Sequence, residues 1–74
     1  MLLTEVPIRR PVRVVDVRDA GPVTTRLMEM GLISGAQLEV VGRAPFGGAM
    51  QVRLLDYDLA VRDGEAALVT VAAA

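Results

Sequence analysis

Hydrophobic and polar residues alternate along much of this chain, and glycine and proline interrupt the alternation. The clearest case is Met50, Val52 and Leu54, which alternate with Gln51 and Arg53. A period of two over this length predicts a β-strand with one buried face. Four other segments are predicted as short strands from their alternation and β-branched content; they are residues 12–19, 37–44, 58–62 and 68–71.

One segment has a helical period instead. Pro22 suits the first position of a helix, where a missing N–H costs nothing. Val23, Leu27 and Met30 then fall at i, i+4 and i+7 and form one apolar face. Gly31 is predicted as the left-handed residue that ends the helix. A helix of one to two turns is unstable alone, so we expect it to rest on the sheet.

Glycines mark the predicted turns. Ser34 and Gly35 suit the centre of a type II turn, in which Gly35 supplies the positive φ. Gly47 and Gly48 end a loop over residues 45–48 with hairpin-turn chemistry. Two further tight connections are predicted at residues 56–57 and 63–65.

Five short strands and one short helix after the first strand predict a mostly β protein, a small SH3-like barrel. Closing the sheet would protect strand edges that a small sandwich leaves exposed. Pro7 and Pro11 interrupt the start of the chain, so residues 1–11 are predicted as an irregular arm. The barrel is predicted over residues 12–71, followed by a frayed end at residues 72–74.

The composition argues for binding and against catalysis. The 74 residues include no cysteine, histidine or lysine. This excludes disulfides, thiolate and imidazole ligands, an imidazole base and Schiff-base chemistry. The single serine, Ser34, has no base to activate it. We therefore predict that the protein is not an enzyme and carries no cofactor. A core of this size gives a domain of modest stability, and self-association would add to it. A homo-oligomer is therefore one of the predicted forms of the protein.

The charge and the hydropathy of the chain argue against several classes of ligand and against a membrane span. A net charge of −1 and only one Phe and one Tyr argue against nucleic-acid binding. The Gly47–Gly48 pair lacks the lysine of a Walker motif, which argues against nucleotide binding. No apolar run reaches the roughly 18 residues of a membrane span. Because the N-terminus also lacks signal-peptide features, we expect a cytoplasmic location.

The predicted contact residues lie off the buried faces. Arg26 and Met28 flank the apolar side of the helix, and an exposed methionine is an adaptable contact. Pro45 and Phe46 belong to a loop, where Phe46 could be an exposed interface anchor or fold back over the barrel end. Tyr57 completes the predicted set of partner-binding residues.

Charged clusters are interpreted as solvated surface. Acidic pairs occur near turns and strand edges, and none has the spacing of an EF-hand loop. They are Asp16 with Asp19, Asp56 with Asp58, and Asp63 with Glu65. Near the N-terminus, a basic cluster is formed by Arg9, Arg10 and Arg13. It is either a solvated part of the terminus or a contact for an acidic partner or anionic lipid.

Several motifs together resemble the FeoA family, the small cytosolic component of bacterial ferrous iron uptake. They are Arg26-Leu-Met-Glu-Met-Gly-Leu, then Gly35 before a strand, Ala44-Pro45-Phe46-Gly47, Tyr57-Asp-Leu-Ala-Val-Arg62, Glu65-Ala66 and Val69-x-Val71. The resemblance covers about residues 12–71. Three features depart from the pattern: the N-terminal leader is replaced by Arg9-Arg10-Pro11, Ser34 replaces a frequent proline, and Asp56 replaces a frequent glycine.

The resemblance implies an SH3-like module that docks on the cytosolic part of a FeoB-like GTP-binding iron transporter, at the inner face of the cytoplasmic membrane. Iron(II) would be the cargo of that system, and no ligand set for it is visible in this sequence. The alternative is a metal-responsive regulatory domain akin to those of iron- and manganese-dependent repressors. The absence of histidine and of a helix-turn-helix pattern speaks against the alternative.

Overall fold

Five strands and two short helices follow one another in the computed structural model, which describes residues 1–74. A 3₁₀ turn at Leu3–Glu5 precedes them. The elements are β1 (Val12–Val17), α1 (Pro22–Glu29), β2 (Gln37–Arg43), β3 (Ala49–Leu54), β4 (Tyr57–Arg62), α2 (Asp63–Ala66) and β5 (Val69–Ala73). The predicted turn over residues 63–65 is thus the single-turn helix α2.

All strand pairs are antiparallel, and the sheet has the order β4-β3-β2-β1-β5. The register shifts between Val14 and Asp16 in β1 and between Val40 and Gly42 in β2. Such irregularities bend a strand and increase its twist, which helps a sheet to curl around its core. The prediction of a mostly β protein with five strands and a short helix after the first is confirmed.

One apolar cluster of 15 buried residues forms the core. The inward residues of the strands supply most of it, as the alternation predicted. Leu27 of α1 and Leu32 just after that helix are both completely buried. The helical face differs from the prediction at one position: Val23 is partly exposed, and Thr24 is buried instead. Its hydroxyl bonds the Arg18 carbonyl at 2.6 Å, so its polar group is satisfied.

The N-terminal segment is packed more closely than the predicted irregular arm. Leu3 and Val6 are completely buried in the core. The Val71 N–H donates to the Met1 carbonyl at 2.7 Å, so the first residues lie along the outer edge of β5. This contact covers strand-edge groups that would otherwise be unpaired.

The C-terminal end also differs from the frayed end predicted for residues 72–74. Strand β5 continues to Ala73, and Ala72 and Ala73 pair with Arg13 and Val12 of β1. Three alanines carry little side-chain signal for a strand, and it is the pairing with β1 that extends β5 through this segment.

Helix α1 ends in a Schellman motif. The Leu32 N–H donates to the Leu27 carbonyl at 3.1 Å, and the Gly31 N–H donates to the Met28 carbonyl at 3.0 Å. Gly31 has φ of 106°, in the left-handed region that favours glycine. Leu27 and Leu32 on either side of this ending both belong to the buried core.

Candidate functional site

The predicted contact residues are divided between opposite ends of the β3–β4 hairpin. Tyr57 pairs with Leu54 at the turn, whereas Phe46 precedes the other end, where Ala49 pairs with Arg62. A six-residue strand spans about 17–20 Å. We call residues 44–48 the loop end and residues 54–57 the turn end. The two ends cannot contact the same small patch of a partner.

At the loop end, hydrogen bonds hold the backbone beneath an exposed aromatic ring. The Gly48 N–H donates to Asp63 Oδ2 at 3.1 Å, and the Asp63 N–H donates to the Gly48 carbonyl at 2.9 Å. The Gly47 N–H donates to the Ala44 carbonyl at 3.0 Å. Phe46 itself is fully exposed. Of the two positions left open by the sequence, the structure places this ring in solvent and not over the barrel end.

At the turn end, the side chain of Tyr57 contacts the C-terminus of α1. Its hydroxyl donates to the Met30 carbonyl at 2.8 Å. This carbonyl is one of the helix-end acceptors that have no partner within the helix. Gly31 leaves room for the contact, since a Cβ there would lie 2.5 Å from the Tyr57 oxygen. Tyr57 therefore fixes the helix end while part of its ring faces solvent.

Three exposed apolar side chains gather at this end, and we call Ile33, Leu55 and Tyr57 the turn-end surface. They line one cavity of about 500 Å³ together with Leu54 and other residues. Leu55 is 90% exposed, and about half of Ile33 and of Tyr57 is exposed. Exposed apolar groups of this kind mark interaction sites more often than scattered single residues do. Sequence reasoning included Tyr57 and missed the other two residues.

Leu55 also has an unusual backbone conformation. Its φ is 52°, in the left-handed region, whereas Asp56 does not have positive φ. The tight connection predicted at residues 56–57 is shifted by one position, because the turn consists of Leu55 and Asp56 and Tyr57 already begins β4. A leucine at positive φ is strained by roughly 1–2 kcal/mol relative to a glycine. A strained and exposed apolar residue is a reason to look for function at the turn.

The two helix residues of the predicted set differ in their surroundings. The Arg26 guanidinium forms an ion pair with Glu65 of α2, which joins the two helices. Met28 is about half exposed in the last turn of α1, the helix whose end contacts Tyr57. Met28 is therefore on the helix segment nearest the turn end, and Arg26 faces α2.

An ion pair at the surface of the hairpin perturbs one carboxyl group. Arg53 Nε donates to Asp58 Oδ1 at 2.8 Å, and Gln51 donates to the other oxygen at 3.0 Å. The hydrogen bond from Arg53 is the main reason why the pKa of Asp58 lies below its usual value. The same bond raises the pKa of Arg53. No group of three or more Asp and Glu side chains is arranged to hold a metal ion.

These features define a small five-stranded β domain with exposed apolar side chains at both ends of the β3–β4 hairpin. The chain matches the family model of the FeoA domain over residues 1–73. It therefore belongs to the FeoA family, as the sequence motifs indicated. This is a family of small accessory iron-transport proteins with an SH3-like fold, and it is not a known enzyme family.

Solved FeoA structures have the same fold. The solution structure of FeoA from Chlorobium tepidum is 34% identical with a TM-score of 0.90, covering 99% of this chain and 70% of that one. FeoA from Stenotrophomonas maltophilia, crystallised with zinc and described as a prokaryotic SH3 domain protein, is 29% identical with a TM-score of 0.85. That match covers 97% of this chain and 89% of the other. The prediction of an SH3-like fold is confirmed.

A manganese-dependent transcriptional repressor also resembles this chain, with a TM-score of 0.90 and 18% identity. The match covers all of this chain and 36% of the repressor, and at this identity it shows a shared fold alone. Among curated proteins, none matches the sequence. Neither helix has the length and apolar character needed to cross a membrane.

Proposed function

We propose that this protein is an accessory binding module of bacterial ferrous iron uptake. It docks on the cytosolic part of a FeoB-like GTP-binding iron transporter and modulates the assembly or activity of that transporter. It does so in the cytoplasm, at the inner face of the membrane. Membership of the FeoA family supports the connection to iron transport. The S. maltophilia relative is described as a candidate activating factor for ferrous iron transport, which agrees with a modulating role.

The observation that carries the docking proposal is the turn-end surface. Ile33, Leu55 and Tyr57 expose apolar area around one cavity, and Leu55 does so in a strained conformation. Burying such groups against a partner is favourable by roughly 25 cal/mol per Å² of apolar area. Met28, in the last helical turn beside this end, is proposed to extend the contact.

The loop end supports a separate contact. Phe46 is fully exposed above a loop whose backbone is held by hydrogen bonds at Gly47 and Gly48, and an exposed aromatic side chain is a good interface anchor. Pro45 lies beside it. Because this loop is at the far end of the hairpin from Tyr57, it would touch a different part of the transporter, or a second copy of the chain.

The test is calorimetric titration of the purified protein into the cytosolic domain of a FeoB-like transporter. We expect binding with a micromolar Kd and at least about tenfold weaker binding for Met28→Asp. Ile8→Asp is the matched control, because Ile8 is also about half exposed but belongs to the N-terminal segment. It should bind like wild type. Absence of wild-type binding at concentrations on the order of 500 μM would refute the proposal.

A further inference from the structure

A cleft with two arginines separates α1 from the outer edge of β4. It consists of two adjoining cavities, of about 630 and 280 Å³, that share Arg26, Arg62 and Glu65. Val23 and Leu68 add apolar walls to the larger cavity. The cleft is distinct from the turn-end surface, because Arg62 ends β4 whereas Tyr57 begins it.

The positive charges in the cleft are accessible, and the negative charge is engaged. Both Glu65 oxygens accept hydrogen bonds, one from Arg26 and the other from the Arg62 backbone N–H at 3.0 Å. The Glu65 side chain is only 12% exposed, whereas that of Arg26 is 55% exposed. The Arg62 guanidinium makes no hydrogen bond or ion pair within the chain. The cleft therefore presents one positioned and one free guanidinium, groups that bind carboxylates through charge-assisted hydrogen bonds.

The neighbouring strand can supply backbone hydrogen bonds. Strand β4 is at the edge of the sheet and pairs only with β3. The Arg62 N–H points away from β3, since it donates to Glu65. In an antiparallel pair, inward and outward backbone groups alternate, so the N–H and C=O of Ala60 also point outward. Ala60 is exposed and lines the smaller cavity. An extended segment entering the cleft thus meets a free strand edge.

We propose that the cleft binds an extended acidic segment of a partner protein. The segment adds to the outer edge of β4 through Ala60, its carboxylates contact Arg26 and Arg62, and its apolar side chains pack against Val23 and Leu68. Main-chain bonds supply affinity in this mode of recognition, and the side-chain contacts supply the preference for acidic sequences. The proposal does not depend on which protein provides the segment, and its test does not use the transporter.

The experiment is an NMR titration of the ¹⁵N-labelled chain with a short acetylated and amidated peptide of alternating valine and glutamate. We expect saturable shifts of the Ala60 and Arg62 amides and slower hydrogen exchange at Ala60. A peptide with glutamine at each glutamate position should bind at least about fivefold more weakly, since only the charge differs. Arg62→Ala should weaken binding of the glutamate peptide by about fivefold to tenfold.

Arg13→Ala is the control, because it removes the same charge from an exposed position on β1. Its affinity should stay within about twofold of wild type. The proposal is overturned if the glutamate peptide gives no saturable shift at concentrations on the order of 5 mM. Equal binding of the glutamine peptide, an equal loss in Arg13→Ala, or shifts confined to residues outside the cleft would overturn it as well.

Discussion

The Tyr57 hydroxyl donates a hydrogen bond of 2.8 Å to the Met30 carbonyl, and this contact ties the start of β4 to the end of α1. It depends on Gly31, because the Tyr57 oxygen occupies the space next to the Gly31 Cα. The motif at the end of the helix therefore does two things. It stops α1, and it positions a tyrosine that belongs to the turn-end surface.

The first prediction concerns Gly31→Ala. The new Cβ would meet the Tyr57 oxygen at 2.5 Å, and the residue would also have to adopt φ of 106°. We expect a loss of about 2–4 kcal/mol in the free energy of unfolding, since strain at positive φ and a steric clash add. Urea denaturation followed by circular dichroism measures it.

Gly35→Ala is the control for that experiment, because Gly35 has φ of 93° but no atom within 4 Å of the added Cβ. Its free energy of unfolding should fall only by the cost of backbone strain at positive φ, about 1–2 kcal/mol. Equal losses for the two variants would mean that the Tyr57 contact imposes no steric requirement on Gly31.

The second prediction concerns the N-terminal segment. Leu3→Ala should lower the free energy of unfolding by about 2–5 kcal/mol, because Leu3 is completely buried in the core. Leu2→Ala, at the partly exposed neighbouring position, should lower the free energy of unfolding by less than about 1 kcal/mol. Thermal and urea unfolding of the pair measure the difference. A Leu3 variant as stable as the Leu2 variant would show that the segment does not belong to the cooperative core.

The third prediction concerns pH. The hydrogen bond from Arg53 lowers the pKa of Asp58, so the folded state favours the ionised carboxylate. The stabilisation is complete above the pKa of an unfolded aspartate, about 4, and is lost as the pH falls through the lower folded pKa. Carbon-detected NMR titration should therefore find a pKa of Asp58 below the usual value for an aspartate. In Arg53→Gln the pKa of Asp58 should rise towards its usual value, and an unchanged pKa would contradict the assigned cause.

The fourth prediction concerns Leu55→Asn. Asparagine adopts the left-handed region more readily than leucine, and the 90% exposed leucine gives up little burial when replaced. The variant should be as stable as wild type or more stable by up to about 1 kcal/mol. Urea denaturation measures this, and a loss above about 1 kcal/mol would mean that Leu55 contributes to packing that its exposure does not reveal.

The end of α1 was predictable because its signals are local. Gly31 followed by a leucine specifies a helix stop, and alternation over Met50–Leu54 specifies a strand. The burial of Leu3 and Val6 was not predictable in this way, because it depends on pairing with β5 at the other end of the chain. The turn-end surface was only partly predictable: Ile33 and Leu55 lie in or beside turns, where polar residues are expected, and their exposure follows from the tertiary fold.

The central claim, docking through the turn-end surface, is tested most directly by comparing Leu55→Asn with Phe46→Ala in titrations against the cytosolic domain of a FeoB-like transporter. Both residues are exposed and apolar, but they lie at opposite ends of the β3–β4 hairpin. We predict that Leu55→Asn raises the Kd by at least about tenfold, and that it does so more than Phe46→Ala. Wild-type affinity in Leu55→Asn together with a large loss in Phe46→Ala would contradict the claim and place the contact at the loop end.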